Sequence, residues 1–145
     1  MTHDKALAVA VKTENAPAPA KGPAAWVGRW YNQMGSYMDL KLAGNEIATG
    51  SSYTTKTSSG GGSVTSKKMC GYVDGDLISF LVLWPGGSQT AWTGQLVDDD
   101  ANPRIKTLWH LVTEIPDVDE PTKLWMSTFT GADEFARTAQ ASRGV

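Results

Sequence analysis

Between residues 26 and 130 the chain holds no strong helical hydrophobic period. Its apolar residues tend instead to alternate with polar ones, in eight short runs broken by clusters of Gly, Asn, Asp, Ser and Pro. The runs cover 26–33, 36–42, 46–55, 67–73, 77–84, 89–98, 104–113 and 123–130. Hairpin spacing of this kind makes the chain all-β and leaves two architectures, a sandwich and a closed barrel. The spacing favours an eight-stranded antiparallel up-and-down β-barrel, which removes exposed edges by closing on itself. A barrel of that size can hold one small ligand.

The second run shows the alternation best, with Met38, Leu40 and Leu42 on one face and Tyr37, Asp39 and Lys41 on the other. The inner face then also holds Ser36. In the third run Ile47, Thr49, Ser51, Tyr53 and Thr55 share parity. The stretch KTSSGGGSVTS that follows reads as a flexible connection, because its Gly triplet lacks the strand-to-helix setting and the Lys of a phosphate loop. Asp74 and Gly75 mark a tight hairpin. The fifth run, LISFLVLW, is apolar on both faces, so its outer face is expected to be covered by another subunit. After the eighth run, the end GADEFARTAQASRGV is expected to form at most a short helical turn and a frayed tail.

The 145 residues suffice for one domain with a real core. That domain is placed at 26–136, between a disordered tail over 1–25 and a C-terminal tail over 137–145. In the first tail, KTENAPAPAKGPAA has no period, and the apolar run in MTHDKALAVAV is short for a secretory leader. No window is apolar and long enough for a membrane helix. A net charge of −2 without a Lys/Arg cluster argues against nucleic acid or an anionic membrane as partner. The single Cys70 cannot form an intramolecular disulfide and gives no evidence about compartment.

The stretch 84–95, WPGGSQTAWTGQ, carries the strongest functional signal. Ser88, Thr90 and Trp92 fall at every second position, so one strand face combines aromatic surface with hydroxyls. Such a face suits a small, rigid, partly polar ligand. Six tryptophans against three phenylalanines strengthen that reading. Catalysis is not expected. The two histidines are His3 in the tail and His110, which faces outward, so neither a Ser-His-Asp triad nor a His-based metal site is available. His110 reads as a surface or interface residue and Cys70 as a half-buried strand residue.

Four motifs, GRWYNQMGS at 28–36, TAWTGQ at 90–95, RIKTLWHL at 104–111 and LWMSTFTGADEF at 124–135, resemble in order and spacing the avidin and streptavidin family of biotin-binding proteins, in its bacterial form. The resemblance implies non-catalytic, high-affinity binding of biotin as a ligand, with no cofactor. It implies that Asn32, Ser36 and a tyrosine of the third strand donate to the ureido oxygen, that Asp133 accepts from one ureido N–H, and that a third-strand hydroxyl takes the other. Thr90 would meet the thioether sulfur, and Ser88 the valerate carboxylate. Trp84, Trp92, Trp109 and Leu111 would form the walls. Trp125 matches the tryptophan that closes a neighbouring subunit's pocket, implying a homo-oligomer, a tetramer by family pattern, with Leu108 and Thr130 outward at a subunit interface. The family also implies secretion, although this chain shows no clear signal peptide.

One departure concerns the third strand. The family has one residue between its Thr-Gly and its tyrosine, whereas Ser51 and Ser52 both intervene here. Either one residue bulges out and Tyr53 with Thr55 face the ligand, or the register holds and Ser52 with Thr54 do; shared parity favours Tyr53 and Thr55. The competing functional readings are an oligomeric structural or surface barrel that has lost biotin, and a lipocalin-like carrier of another small hydrophobic ligand.

Overall fold

The structure, a computed structural model, describes residues 1–11, 22–56, 65–97 and 102–140. Among these residues the main body is a closed antiparallel barrel. Its strands are β1 (Gly28–Asn32), β2 (Tyr37–Leu40, resumed at Leu42–Ala43), β3 (Glu46–Ile47, resumed at Ser52–Thr55), β4 (Thr65–Asp74), β5 (Leu77–Trp84), β6 (Ser88–Val97), β7 (Arg104–Thr113) and β8 (Thr128–Ala136). Each pairs with the next, and β8 returns to β1 through Asn32 opposite Phe135 and Tyr31 opposite Ala136. No edge is left unpaired around the ring, which is the reason for closure given by the sequence.

Alternation decides what goes inside. Trp30, Met38, Leu40, Val73, Ile78, Phe80, Val82, Leu96, Ile105 and Phe135 point inward and are buried in one continuous core. The outward partners along β5, by contrast, are exposed: Leu77, Leu81 and Leu83 face solvent on this chain. The two-sided apolar character of LISFLVLW thus lies half in the core and half on an open outer surface.

One end of the barrel is plugged. Trp26 donates its indole N–H to the Gly75 carbonyl at 2.9 Å, and Trp30 donates to the Trp26 carbonyl at 2.8 Å. Arg137 lies over the Trp30 ring at 3.8 Å and donates to the carbonyls of Ala25 and Val27 at 2.6 and 3.0 Å, tying the chain's two barrel ends together. Burial lowers the Arg137 pKa from its ordinary value. Any ligand site therefore belongs to the opposite end.

Three sequence expectations differ from the structure. The eighth strand begins at Thr128 rather than near residue 123, because 120–127 turn helically: α1 (Glu120–Lys123) is followed by a 3-10 turn, Leu124–Ser127. Pro121 suits a first helical turn, and Lys123 reaches Asp119 at 2.7 Å. The strand then runs on through GADEF to Ala136, where a helical turn was expected. Its partner β7 continues to Arg104 opposite Ala136, and ladder pairing outweighs local turn preference. At the N-terminus, His3–Val11 form a helix where the sequence reads as a tail. The Gly/Ser-rich connection 57–64 lies outside the described residues, as do 12–21, 98–101 and 141–145.

Candidate functional site

At the unplugged end the core turns from aliphatic to aromatic. Phe80 stacks on Trp92 with ring centroids 4.8 Å apart and planes 11° apart, and Trp92 stacks on Tyr53 at 4.9 Å. Trp84 and Phe135 meet the Tyr53 ring edge-on at 6.0 and 6.4 Å. Cross-strand register explains the grouping, because Phe80 opposes Trp92 and Trp92 opposes Trp109 on three adjacent strands. A rigid aromatic wall results.

Polar atoms are set into this wall. The β1–β2 turn is built by Asn32, whose Oδ1 accepts from the backbone N–H groups of Met34 and Ser36 at 3.0 and 2.9 Å. The same residue donates its side-chain amide to the Tyr53 hydroxyl at 3.3 Å. Ser36 accepts at Oγ from the Lys56 N–H at 3.0 Å. Thr90 accepts the Trp84 indole N–H at 2.8 Å, leaving its own hydroxyl proton to donate elsewhere. Asn32, Ser36, Tyr53 and Thr90 are all buried. Burial, and then the negative charge of Asp133, push the Tyr53 phenol above the ordinary tyrosine value, so it remains a neutral donor.

Asp133 is held at both carboxylate oxygens. Trp92 donates its indole N–H to Oδ2, and Gln33 donates its amide to Oδ1, each at 2.9 Å. Gln33 also accepts from the Glu134 N–H at 3.0 Å, which ties the β1–β2 turn to β8. The carboxylate is only partly buried, so it keeps acceptor capacity at the site without being sealed in the core.

The register of β3 places Tyr53 on the inner face, opposite Met38. The extra residue is taken up between its two halves. Gly50 adopts φ +100°, and Ser51 turns in so that its Oγ accepts from the Lys41 N–H at 2.9 Å and donates to the Lys41 carbonyl at 3.0 Å. Thr54 points the other way yet is also buried, whereas Ser52 and Thr55 are half-buried.

Of the residues singled out from sequence, Asn32, Ser36, Tyr53, Trp84, Thr90, Trp92 and Asp133 are joined by these contacts. Leu111 and Trp109 adjoin them by register, opposite Thr90 and Trp92, and Trp109 packs against the core. Ser88 sits at the rim, opposite Trp84. Trp125 stands apart, 75 % exposed on the 3-10 turn. Two contributors escaped the sequence reading. Phe80 is hidden in a two-sided apolar run, and Gln33 has its partner a hundred positions away.

A groove of about 1060 Å³ lies elsewhere, on the outer face of β4–β8, where Cys70, Tyr72, Leu81, Ala91, Leu108 and His110 line it. It carries none of the polar convergence described above.

A family model described as the Avidin family matches residues 20–138. Avidin-related protein 4/5 of Gallus gallus is 25 % identical over 128 residues, which cover 84 % of this chain and 83 % of the relative. Among solved structures, Xenavidin has a TM-score of 0.63 at 25 % identity, covering 77 % of this chain and 96 % of its own. The rhizavidin–biotin complex has a TM-score of 0.62 at 23 % identity, covering 87 % and 98 %, and at that identity speaks to the fold alone.

Proposed function

The chain belongs to the avidin family, and from that premise we propose that it binds biotin, without catalysis, at the unplugged end of its barrel. The observation that carries the reading is the convergence of Asn32, Ser36 and Tyr53 on one side of an aromatic wall and of a doubly anchored Asp133 on the other. A ureido group presents one acceptor oxygen and two N–H donors in a plane. Donors on one flank and a carboxylate on the other are the complement it requires.

In this reading the hydroxyl and amide donors polarise the ureido oxygen much as an oxyanion hole does, but in a bound ground state. Asp133 accepts one N–H and Thr55 the other. Thr90 uses its remaining proton toward the thioether sulfur. Ser88 holds the valerate carboxylate, and Trp84, Trp92, Trp109 and Leu111 exclude water around the ring system. Binding is of high affinity because most of these groups are already fixed by one another before the ligand arrives.

Assembly is part of the proposal. The exposed Leu81, Leu108 and Tyr72 on β4–β7 favour association of copies into a homo-oligomer, a tetramer by family pattern. Trp125, which has no place in its own chain's site, would close the pocket of a neighbour.

Calorimetric titration with biotin tests the function. Heat of binding at one ligand per chain, with a rise in melting temperature, is expected; a ligand at a hundredfold its Kd stabilises by about 2.7 kcal/mol. No heat and no shift would leave a barrel that has lost its ligand.

A further inference from the structure

We infer that the site prefers biotin in amide linkage, as on the side chain of a biotinylated lysine, over biotin with a free carboxylate. The inference rests on the biotin reading and concerns the rim where the ligand's tail emerges. There the β5–β6 hairpin carries Gly87 and Ser88, and β7 ends opposite it at Thr113. Glu114 follows directly and is locked to the hairpin by donating its N–H to the Gly87 carbonyl at 2.8 Å. Its side chain folds over the same glycine: a Cβ on Gly87 would lie 2.7 Å from Glu114 Oε2. The backbone of Glu114 is fixed there, and its exposed carboxylate lies beside Gly87, one residue from Ser88, the group proposed to receive the tail.

Nothing described at this rim neutralises it. Glu114 enters no ion pair among the described residues. Lys123 is taken by Asp119 at 2.7 Å, and Lys56 lies against Gly35 in the β1–β2 turn. Glu120 adds a second negative charge to the same groove. A free valerate carboxylate arriving at Ser88 therefore meets a like charge within roughly a Debye length, whereas an amide carries no charge to repel.

The groove also offers the appended chain somewhere to go. It holds about 560 Å³ and is lined by Trp84 and Ser88 together with the outward Leu83, Val112 and Leu124, with Glu114 and Glu120 also in its walls. The methylenes of a lysine side chain suit those apolar walls. The geometry joins an apolar exit to a negative rim, and a neutral amide with a carbon chain behind it satisfies both.

The test compares biotin with biotinyl-lysine amide by competition on the full chain, at low and high salt. The amide is expected to bind about two- to threefold tighter at low salt, the effect of one unit charge several ångströms away in largely aqueous surroundings, with the gap closing at high salt. Glu114→Gln should close the gap at low salt by strengthening free biotin alone, and Glu114→Lys should reverse the order. Equal affinities in the unmodified protein, or a gap that survives both substitutions, would overturn the preference while leaving biotin binding intact. Binding of neither ligand would overturn the biotin reading and the preference with it.

Discussion

Trp92 donates its indole N–H to Oδ2 of Asp133 at 2.9 Å, joining β6 to β8 across β7. One ring therefore serves both as wall and as anchor for the carboxylate. Trp92→Phe keeps an aromatic face toward Phe80 and Tyr53 but leaves that oxygen without its donor. A hydrogen bond to a charged group contributes about 1.5–3 kcal/mol, so biotin affinity is expected to fall about ten- to a hundredfold. Dissociation kinetics of labelled biotin would measure it; an unchanged rate would show that the anchor is irrelevant to binding.

Gln33 acts from further away. It donates to Asp133 Oδ1 and accepts from Glu134 N–H, so Gln33→Ala frees the carboxylate and unties the β1–β2 turn from β8 at once. With a longer contact to the Ala132 carbonyl at 3.3 Å, three bonds are lost, none of them fully buried, and the loss is expected to lower stability by about 1–2 kcal/mol and to quicken biotin release. Gln33→Glu should be worse than Gln33→Ala for binding, since it sets a second negative charge beside Asp133. Denaturant titration and release rates on both variants separate the two effects.

How much of this was legible in the sequence follows from the range over which each feature is decided. Period-two alternation is local, so β5 and β7 have the limits that the residues predict. The limits of β8 are set by β7, its partner, and the local signals of Pro121 and GADEF pointed elsewhere. Tyr53 was recoverable from parity alone. The bulge that permits it, closed by Ser51 on Lys41, was foreseen only as one of two possibilities. Gln33 could not be found as the partner of Asp133, because no local pattern marks a contact spanning a hundred residues.

Tyr53 gives the site an alkaline limit. Burial and the charge of Asp133 raise its phenol above the ordinary value, so the folded state resists an ionisation that the unfolded chain undergoes freely. Its stabilising contribution is complete below about pH 10 and is lost as pH rises from there toward the folded-state value. Unfolding free energy should therefore be level in this respect through neutrality and fall above about pH 10. Tyr53→Phe should flatten that fall, at the cost of the Asn32 contact. If the variant and the unmodified protein lose stability in parallel up to pH 11 or so, Tyr53 is not the group responsible.

Leu108 stands on the outer face between Thr93 and Ala132, two small neighbours, and is 67 % exposed. Its removal should cost the barrel little, within about 0.5 kcal/mol for a surface site. An Asp in its place would put a charge in the middle of the apolar face. Leu108→Asp is expected to reduce the assembled species in sedimentation velocity while leaving the far-ultraviolet spectrum and the barrel's fold unchanged. An identical sedimentation profile would move the interface to another face.

Trp125 offers the sharpest separation between a chain's own stability and its neighbour's pocket. Being 75 % exposed, it contributes little to the fold of its own chain, so Trp125→Ala should leave denaturation of the isolated barrel nearly unchanged. If it closes a partner's site, release of biotin by the unmodified protein must depend on protein concentration, because dilution below the assembly constant removes the lid. The variant has no lid to lose. Its release should be fast at every concentration, matching the diluted unmodified protein. Equal and concentration-independent release by both proteins would show that each pocket is complete within a single chain.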